Sequence, residues 1–345
     1  MTFEPPKAAA AALNTTLNRV TRFGATVIKL AALVALVGAL CALGAPIGWP
    51  FELFGSFPYT FAAIAILAAI CAGLSGAPRL SALNLLAGLG LIILALVSVG
   101  SLPHAIKPSA DITTKRIVWH NVMREHGAVL ALSQQISAFN PSIVALAEVR
   151  PGLDLKALFP ATGAMQGAIQ GAYFGVQQSG CIPLTLPVYK DKWWKGRVWG
   201  LKAQCDGFTL FAVHLRNPLW RWGERLKVRN AEMDLLRDAI KLTDGPIIVI
   251  GDFNTVPSSF ALRNFVKEAG VIRIACGGRW KPTWRPKPLI GTKTDPNFWV
   301  AAPIDHLLVR DMNVRSCSVG TNTGSDHLPL LIEITPVITQ SSPQP

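Results

Sequence analysis

The stretch IIVIGDFNTVPSS, residues 247–259, joins a short apolar run to a polar turn. Its first four residues are all apolar and β-branched, a composition typical of a buried strand. Gly251 and Asp252 follow, and Asn254 then opens a turn that contains a proline. Because side chains alternate along a strand, we expect Asp252 and Asn254 to point to the same side at the end of a strand. A strand followed by an ordinary Asx-type turn would give the same sequence, so this stretch alone does not distinguish a functional site from a structural turn.

Polar residues at the ends of other predicted strands repeat this pattern. From Ser101 onward the chain shows strands that alternate with helices, the two clearest helices covering residues 126–139 and 225–242. If the last strands run antiparallel to their neighbours, their first residues lie beside the last residues of the others. Side chains of metal-binding or acid–base type then meet at one edge of a sheet: Asn121, Glu148, His214, Asp252, Asn254, Asp305, Asp326 and His327.

The order and spacing of these residues resemble the endonuclease/exonuclease/phosphatase family. Asn121 and Glu148 are followed by the segments HL, GDFN, IDH and SDHLP, which begin at residues 214, 251, 304 and 325. The resemblance covers about residues 116–335. It implies an α/β fold, a four-layered αββα sandwich, and hydrolysis of phosphoester bonds. The family includes deoxyribonucleases, abasic-site endonucleases, neutral sphingomyelinases and inositol-polyphosphate 5-phosphatases, so the resemblance does not name the substrate.

A metal site is part of what the resemblance implies. Glu148 would be the principal ligand, with Asn121 beside it and Asp326 as a possible second ligand. Carboxylate oxygens suit Mg2+, which is held by one or two carboxylates together with the phosphate of the substrate. We therefore expect Mg2+ as the cofactor, with Mn2+ as a possible substitute. Asn121 could instead be an ordinary strand cap.

The resemblance also implies catalytic roles for five residues. Asp252 would orient or deprotonate the attacking water, and Asn254 would donate a hydrogen bond to the phosphate. His327 would contact the phosphoryl oxygens while Asp305 holds its imidazole in orientation, as carboxylates commonly do for catalytic histidines. His214 would lie on the leaving-group side, although a satisfied, half-buried histidine is the alternative. His306, adjacent to Asp305 in sequence, should point to the other face of its strand and be structural.

The sequence departs from the family between Glu148 and His214. The family often has an arginine after a serine here, whereas Ser179 is followed by Gly180. Tyr173 is only a loose match to a tyrosine that some members use. Residues 192–222 interleave five tryptophans with lysine and arginine. This cluster is compatible with stacking of nucleic-acid bases, with a membrane interface, or with plain packing on a sheet.

Three long uncharged segments precede the catalytic region. Residues 30–49, 53–78 and 80–103 each reach the length of about 20 residues that a helix needs to cross a bilayer. They predict a cytoplasmic N-terminal segment (1–25), three transmembrane helices (26–103), a linker (104–115), the catalytic domain (116–336) and a disordered tail (337–345). A signal peptide followed by buried core helices is the alternative. Only 15% of the residues are charged, which excludes a plain soluble enzyme as the whole chain.

The basic residues predict the orientation in the membrane. Lys7, Arg19, Arg22 and Lys29 precede the first segment, and the loop after it carries Glu52 and no lysine or arginine. The positive-inside rule places the N-terminus in the cytoplasm, so three crossings would place the catalytic domain outside the cytoplasmic membrane, in the periplasm or beyond. If the last two segments form a re-entrant hairpin, the domain faces the cytoplasm.

The cysteines are compatible with export. Cys181, Cys205, Cys276 and Cys317 are an even number in the soluble part, either as disulfides or as free thiols. A hairpin of residues 181–190 and 197–205 would bring Cys181 beside Cys205, and Cys276–Cys317 would be the second pair.

We expect a membrane-tethered, Mg2+-dependent hydrolase that cleaves phosphodiester bonds, in nucleic acid or a phospholipid headgroup, or phosphomonoester bonds, by in-line attack of an activated water. The net charge of +13 favours an anionic substrate, although solubility alone also accounts for net charge. No obligate protein partner is evident. The alternative is a catalytically silent membrane module that uses the same fold to recognise phosphate or lipid, but such a module has no chemical need for the complete residue set.

Overall fold

The computed structural model divides the chain into two compact units, Met1–Val97 and Ser98–Pro345. Its described residues are 7–98, 100–103, 114–150, 153–159, 164–169, 172–177, 181–184, 186, 200–219, 223–278, 281–286 and 301–336. The tryptophans of the 192–222 cluster, the pair Ser179–Gly180, the tail 337–345 and most of the linker 104–115 lie outside these residues.

The first unit consists of helices that pack through small residues. The helices are α1 (Lys7–Leu43), α2 (Phe51–Gly55), α3 (Pro58–Leu74) and α4 (Pro78–Val97). Their shared interior is mostly alanine, including Ala39, Ala65 and Ala87, which allows the close approach expected of helices in lipid. Asn84 adds a polar contact, because its Nδ2 donates to the carbonyl oxygen of Ala32 at 3.1 Å.

The expectation of three full-length spans is wrong. Two stretches are long and apolar enough to cross a membrane, Asn18–Leu43 within α1 and Pro78–Val97. The middle segment is broken, because Pro58 begins α3 and Gly76, in the left-handed conformation, follows its end. The remaining 17 residues are about 25 Å long, shorter than the roughly 30 Å hydrocarbon core.

The described part of the second unit contains two six-stranded sheets. The first sheet has the order β11-β12-β1-β2-β4-β3, with β1 (Lys115–Asn121), β2 (Ile143–Val149), β3 (Ala164–Ile169), β4 (Ala172–Gln177), β11 (Met312–Val319) and β12 (Leu330–Pro336). The second has the order β5-β6-β7-β8-β10-β9, with β5 (Ile182–Leu184), β6 (Gly200–Cys205), β7 (Phe208–His214), β8 (Ile247–Asp252), β9 (Ile272–Ile274) and β10 (Asp305–Arg310).

Helices cover the outer faces of both sheets. They are α5 (His126–Ile136), α6 (Leu155–Leu158), α7 (Glu224–Lys241) and α8 (Phe260–Ala269). One hydrophobic core lies between the sheets, with Trp119 and Ile250 among its members. A second core joins α7 and α8 to the second sheet, and a third joins α5 to the first sheet. The predicted αββα sandwich is confirmed, and α5 and α7 match the two predicted helices to within a few residues.

The strand directions bring the predicted strand ends together. β1 and β2 run parallel, as do β7 and β8, where His214 lies opposite Asp252. β10 runs antiparallel to β8 and starts with Asp305 opposite Asp252. β12 likewise runs antiparallel to β1 and begins just after His327. The expectation that the last strands begin beside the ends of the others is confirmed.

Both pairs of cysteines in the second unit form disulfides. Cys181 is bonded to Cys205 and Cys276 to Cys317. β5 and β6 are antiparallel neighbours, so the predicted hairpin brings the first pair together. Of the two alternatives that the sequence left open, the disulfide-bonded one is found.

Candidate active site

Asp252 is the last residue of β8 and is almost completely buried. The apolar residues before it are buried on both faces of the sheet, which holds the end of the strand rigidly. Gly251 is required here, because a Cβ at this position would collide with the carbonyl oxygen of Val213 on β7. The close approach of β7 and β8 therefore places His214 and Asp252 side by side.

Asn254 lies beyond the strand rather than on it. Its φ of 49° is left-handed, and its N–H donates to Asp252 Oδ1 at 2.9 Å. Its Nδ2 donates to the carbonyl oxygen of Leu215 at 2.9 Å. Strand alternation is therefore the wrong reason for bringing Asp252 and Asn254 together. An Asx-type turn does so, and this turn is part of the site rather than an alternative to it.

Glu148 has a strained backbone. Its φ is 56°, a conformation that is uncommon for residues other than glycine and costs energy. The pairing of β2 with β4 shifts register between Leu146 and Val149, so Glu148 lies at a bulge, a feature that re-aims side chains. The Glu148 side chain is 26% exposed, whereas that of Asp252 is 2% exposed. Glu148 is thus the carboxylate of this pair that solvent can reach.

Asn121 connects the two carboxylates. Its Nδ2 donates to Glu148 Oε1 at 3.2 Å and to Asp252 Oδ2 at 3.1 Å. Its Oδ1 accepts the N–H of Met123 at 3.0 Å. The amide therefore turns its nitrogen, not its oxygen, toward the acidic centre. This geometry favours a bridging role for Asn121 over direct ligation of a metal.

His327 and Asp305 form a buried hydrogen-bonded pair. Nδ1 of His327 lies 2.8 Å from Asp305 Oδ2, and its Nε2 lies 3.6 Å from Asp252 Oδ2. The indole Nε1 of Trp119 donates to the other oxygen of Asp305 at 2.8 Å. Ser325 fixes the segment before His327, because its hydroxyl donates to the carbonyl oxygen of Asn121 at 2.7 Å. The contact of Nδ1 with Asp305 therefore fixes the orientation of the imidazole, and Nε2 points toward Asp252.

The protonation states of these groups depend on one another. Burial acts to lower the pKa of His327, but the carboxylates of Asp305 and Asp252 outweigh it and raise the pKa to about 10. Burial raises the pKa of Asp252 to about 8, against the opposing effect of His327. Burial also acts to raise the pKa of Asp305, but His327 and hydrogen bonds to the carboxylate bring it below its usual value. The carboxylates around His327 therefore favour the protonated form of its imidazole.

His214 faces both carboxylates of the acidic centre. Its Nε2 lies 3.5 Å from Glu148 Oε1 and 3.6 Å from Asp252 Oδ2. Burial lowers the pKa of His214, and the charge of Glu148 opposes this effect only in part. His306 behaves differently. It is buried on the other face of β10, where its Nε2 lies 2.8 Å from the carbonyl oxygen of Thr255, as expected for a structural histidine.

These residues surround a cleft of about 210 Å³. Asp305 is not part of its lining and lies behind His327. The other predicted site residues all line the cleft: Asn121, Glu148, His214, Asp252, Asn254, Asp326 and His327. The structure thus brings the complete predicted set to one place.

Sequence reasoning missed several residues of the cleft and its support. Arg216, Arg225 and Trp284 line the cleft, and Trp119 supports Asp305. Trp284 Nε1 also donates to Asp326 Oδ2 at 3.1 Å, so this carboxylate is partly engaged. Arg216 follows His214 by two positions and lies within the basic–aromatic cluster 192–222, and these were the available signals in the sequence. The others come from distant segments, and no local pattern marks them.

Among the described residues, the donor set at Glu148 fits a divalent cation better than the group of Asp252, Asp305 and His327. Asp252, Asp305 and His327 are a group whose ligand atoms lie within 4.8 Å of one another. Both oxygens of Asp305 are already engaged by Trp119 and His327, however, so this group is better suited to acid–base chemistry. Glu148 offers a reachable carboxylate in the cleft, next to the oxygen atoms of Asp252. Hard oxygen donors of this kind suit Mg2+ or Mn2+.

Comparisons with known proteins identify the family of the chain. A sequence model of the Endonuclease/Exonuclease/phosphatase family matches residues 118–327. A UPF0294 protein of Vibrio vulnificus (strain YJ016) is 28% identical over 132 residues, which are 38% of this chain and 41% of that protein. The chain thus spans less than half the length of this curated relative.

The solved structures that the chain resembles are more distant in sequence. An endonuclease/exonuclease/phosphatase family protein from Bacteroides thetaiotaomicron is 16% identical, with a TM-score of 0.49, and the match covers 65% of this chain and 98% of that one. An AP endonuclease from Archaeoglobus fulgidus is 13% identical, also with a TM-score of 0.49, and covers 63% and 98%.

The family match covers more than half of the chain and contains every residue of the predicted site. The chain therefore belongs to the endonuclease/exonuclease/phosphatase family, whose members hydrolyse phosphoester bonds and generally use a divalent metal ion.

Proposed function

We propose that the protein is a membrane-tethered, Mg2+-dependent phosphodiesterase that cleaves its substrate by in-line attack of an activated water. The observation that carries this proposal is the convergence of Glu148, Asp252, His214 and the His327–Asp305 pair on one cleft. Hydrogen bonds hold Glu148, Asp252 and the His327–Asp305 pair, and His214 lies within 3.6 Å of both carboxylates, so the site is organised before substrate arrives. Preorganised polar groups of this kind are a major source of rate acceleration.

Asp252 is the general base of the proposed mechanism. Its Oδ1 accepts the Asn254 N–H, whereas its Oδ2 faces the centre of the cleft, between Asn121, His214 and His327. Oδ2 therefore accepts the proton of the attacking water. Burial raises the pKa of Asp252 to about 8, so the ionised form that can accept the proton predominates above that pH.

His327 and Asn254 stabilise the charge on the phosphoryl group. The imidazolium of His327 uses Nδ1 for Asp305, which leaves its Nε2–H for a phosphoryl oxygen. Asn254 uses its Nδ2 for the carbonyl oxygen of Leu215, and an amide nitrogen carries a second hydrogen for the substrate. His214 is placed on the leaving-group side, where a neutral imidazole N–H can donate to the departing oxygen.

Glu148 is the proposed principal metal ligand, and Asn121 holds it in place. Asp326, in the same lining, remains a possible additional ligand, although Trp284 already donates to it. A divalent cation at this carboxylate would offset the negative charge that develops on the phosphoryl oxygens.

Replacing Glu148 with glutamine should weaken metal binding by at least about tenfold, because a charged hard ligand becomes a neutral one. Raising the Mg2+ concentration should then recover part of the activity. Binding of Mn2+, measured directly by electron paramagnetic resonance on the full chain in detergent, provides a readout that does not depend on turnover. Glu125, which is half-buried and lies outside the cleft lining, supplies the control Glu125→Gln. If Mn2+ affinity is equal in both variants, Glu148 is not the ligand.

We also propose that the catalytic unit lies outside the cytoplasm. With a cytoplasmic N-terminus, the two candidate spans by themselves would return the catalytic unit to the cytoplasm, so the number of crossings no longer supports export. The support that remains is the pair of disulfides, because such bonds persist in oxidising compartments and are rare in the cytosol.

The location can be tested by C-terminal fusions. Alkaline phosphatase is active only after export, and a fluorescent protein that matures only in the cytoplasm reports the opposite side. We expect the alkaline phosphatase fusion to be active and the fusion to the fluorescent protein to show no fluorescence. A fluorescent fusion without phosphatase activity would place the site in the cytoplasm and end the proposal of export.

The proposed activity is tested with the purified full chain in detergent, in the presence of Mg2+ or Mn2+. The substrate panel comprises duplex and single-stranded DNA, RNA, sphingomyelin, phosphatidylinositol phosphates and bis(p-nitrophenyl) phosphate. Metal-dependent hydrolysis of at least one of these is the expected result. If the folded protein cleaves none of these substrates with either Mg2+ or Mn2+, the proposal is wrong.

A further inference from the structure

One face of α7 carries charged residues that the proposed mechanism does not use. Arg225, Arg229 and Glu232 are four and three positions apart, so they lie on the same face of the helix. Arg229 and Glu232 are 1% and 0% exposed, although charged side chains are rarely buried so completely. This face is directed at the loops that follow β7 and β8.

Two of these residues hold the loops around the cleft. An oxygen of Glu232 accepts the backbone N–H of Arg216 at 2.8 Å, and its other oxygen lies 4.0 Å from the Arg216 guanidinium. Arg229 donates to the carbonyl oxygen of Asn254 at 3.2 Å. Buried charges are costly and give little net stability, so their retention is better explained by a role in positioning Arg216 and Asn254.

The segment after β7 and the first turn of α7 together present cationic and polar groups to the cleft. Arg216 and Arg225 both line it, with Asn217 between them in sequence. Arg216 lies two residues after His214, the histidine placed on the leaving-group side. The acidic residues Glu148, Asp252 and Asp326 are also in the lining, and its two arginines come from the segment after β7 and the start of α7.

We infer that Arg216, Asn217 and Arg225 form a second phosphate subsite, which binds the next phosphate of a nucleic-acid strand on the leaving-group side of the scissile bond. The inference rests on the proposed phosphodiesterase function and narrows its substrate. Guanidinium groups match phosphate geometry and form charge-assisted hydrogen bonds with it. Trp284 in the same lining provides an aromatic surface for a base.

The subsite distinguishes between the substrates that the family resemblance leaves open. In a nucleic acid, the departing nucleotide carries a further phosphate, which would pair with the two guanidinium groups. When a sphingomyelin-type lipid is cleaved, the departing group is a neutral ceramide, which offers these residues no anionic partner. The positive charge of Arg216 and Arg225 therefore favours a strand of nucleic acid over such a lipid.

The test compares two probes that differ by one phosphate. Thymidine 3',5'-bisphosphate and thymidine 5'-monophosphate are titrated by calorimetry into the full chain in detergent with Mg2+. We expect the bisphosphate to bind at least about tenfold more tightly, the scale of a charged hydrogen bond. Arg225→Gln should remove most of this difference, and Arg216→Gln, which retains the backbone bond to Glu232, should do the same.

Lys227→Gln is the matched control, because Lys227 lies on the same helix and is 77% exposed outside the cleft lining. It should keep the difference between the two probes, and melting curves verify that each variant is folded. Equal affinity of the wild-type protein for the two probes would overturn the subsite, whatever the variants do. If the protein binds inositol 1,4-bisphosphate tightly but binds thymidine 3',5'-bisphosphate no better than thymidine 5'-monophosphate, the assignment of the subsite to nucleic acid is wrong. Hydrolysis of bis(p-nitrophenyl) phosphate, which has no second phosphate, decides the proposed function separately.

Discussion

Asp252→Asn should lower turnover by at least about a hundredfold, on the scale expected for the loss of a general base. Asparagine has nearly the same size, and its oxygen can still accept the N–H of Asn254, as Asp252 Oδ1 does at 2.9 Å. What it cannot do is accept a proton at the position of Oδ2. The defect should therefore appear in turnover, measured as initial rates on whichever substrate of the panel is cleaved, and much less in substrate binding.

Asp244→Asn is the control for this change. Asp244 is exposed in the turn that precedes β8, at the end of the strand opposite to Asp252. Its replacement should leave the rate at the wild-type level. If Asp252→Asn turns over as fast as Asp244→Asn at saturating Mg2+, Asp252 is not the base, and the mechanism proposed for this cleft is wrong.

His327→Ala should also reduce turnover by about a hundredfold or more, because it removes a preorganised cationic donor from the transition state. The imidazole is buried, and its Nδ1 lies 2.8 Å from Asp305. Its removal leaves a space of about the size of the side chain, beside a carboxylate that keeps the hydrogen bond from Trp119. Added imidazole should therefore restore part of the activity, which a merely structural histidine would not explain.

The exposed His126 at the start of α5 supplies the control variant His126→Ala, which should retain wild-type turnover. Asp305→Asn should cause a smaller loss than His327→Ala, because the imidazole remains and loses only its orientation and its charged partner. Wild-type turnover in His327→Ala, with a melting curve that shows a folded protein, would remove His327 from the mechanism.

Much of the fold and of the candidate site follows from local patterns in the sequence. Short β-branched runs predict strands, and a strand has only two ends at which a polar side chain can leave the core. This is why His214, Asp252 and Asp305 could be placed at strand ends without coordinates. Their convergence followed once strand direction was assumed, and the pairing of β10 with β8 bears out that assumption.

In the first unit, the prediction from sequence failed because it did not account for where the helices begin and end. The second uncharged segment was predicted to be one span from its composition alone. Pro58 and Gly76 divide it into shorter pieces, because proline begins a helix and glycine follows the end of one. Composition measures the average polarity of a segment, whereas the number of uninterrupted helical turns sets its length across a membrane.

The sequence by itself determined the strands, the polar residues at their ends and the pairing that became the Cys181–Cys205 disulfide, because each depends on neighbours along the chain or on one hairpin. Only the tertiary structure decided the contacts between distant segments. Trp119 supports Asp305 across 186 positions, and Glu232 reaches Arg216 from the buried face of α7. Such contacts depend on which face of one element meets which loop of another, and the packing of the two sheets and their covering helices determines that choice.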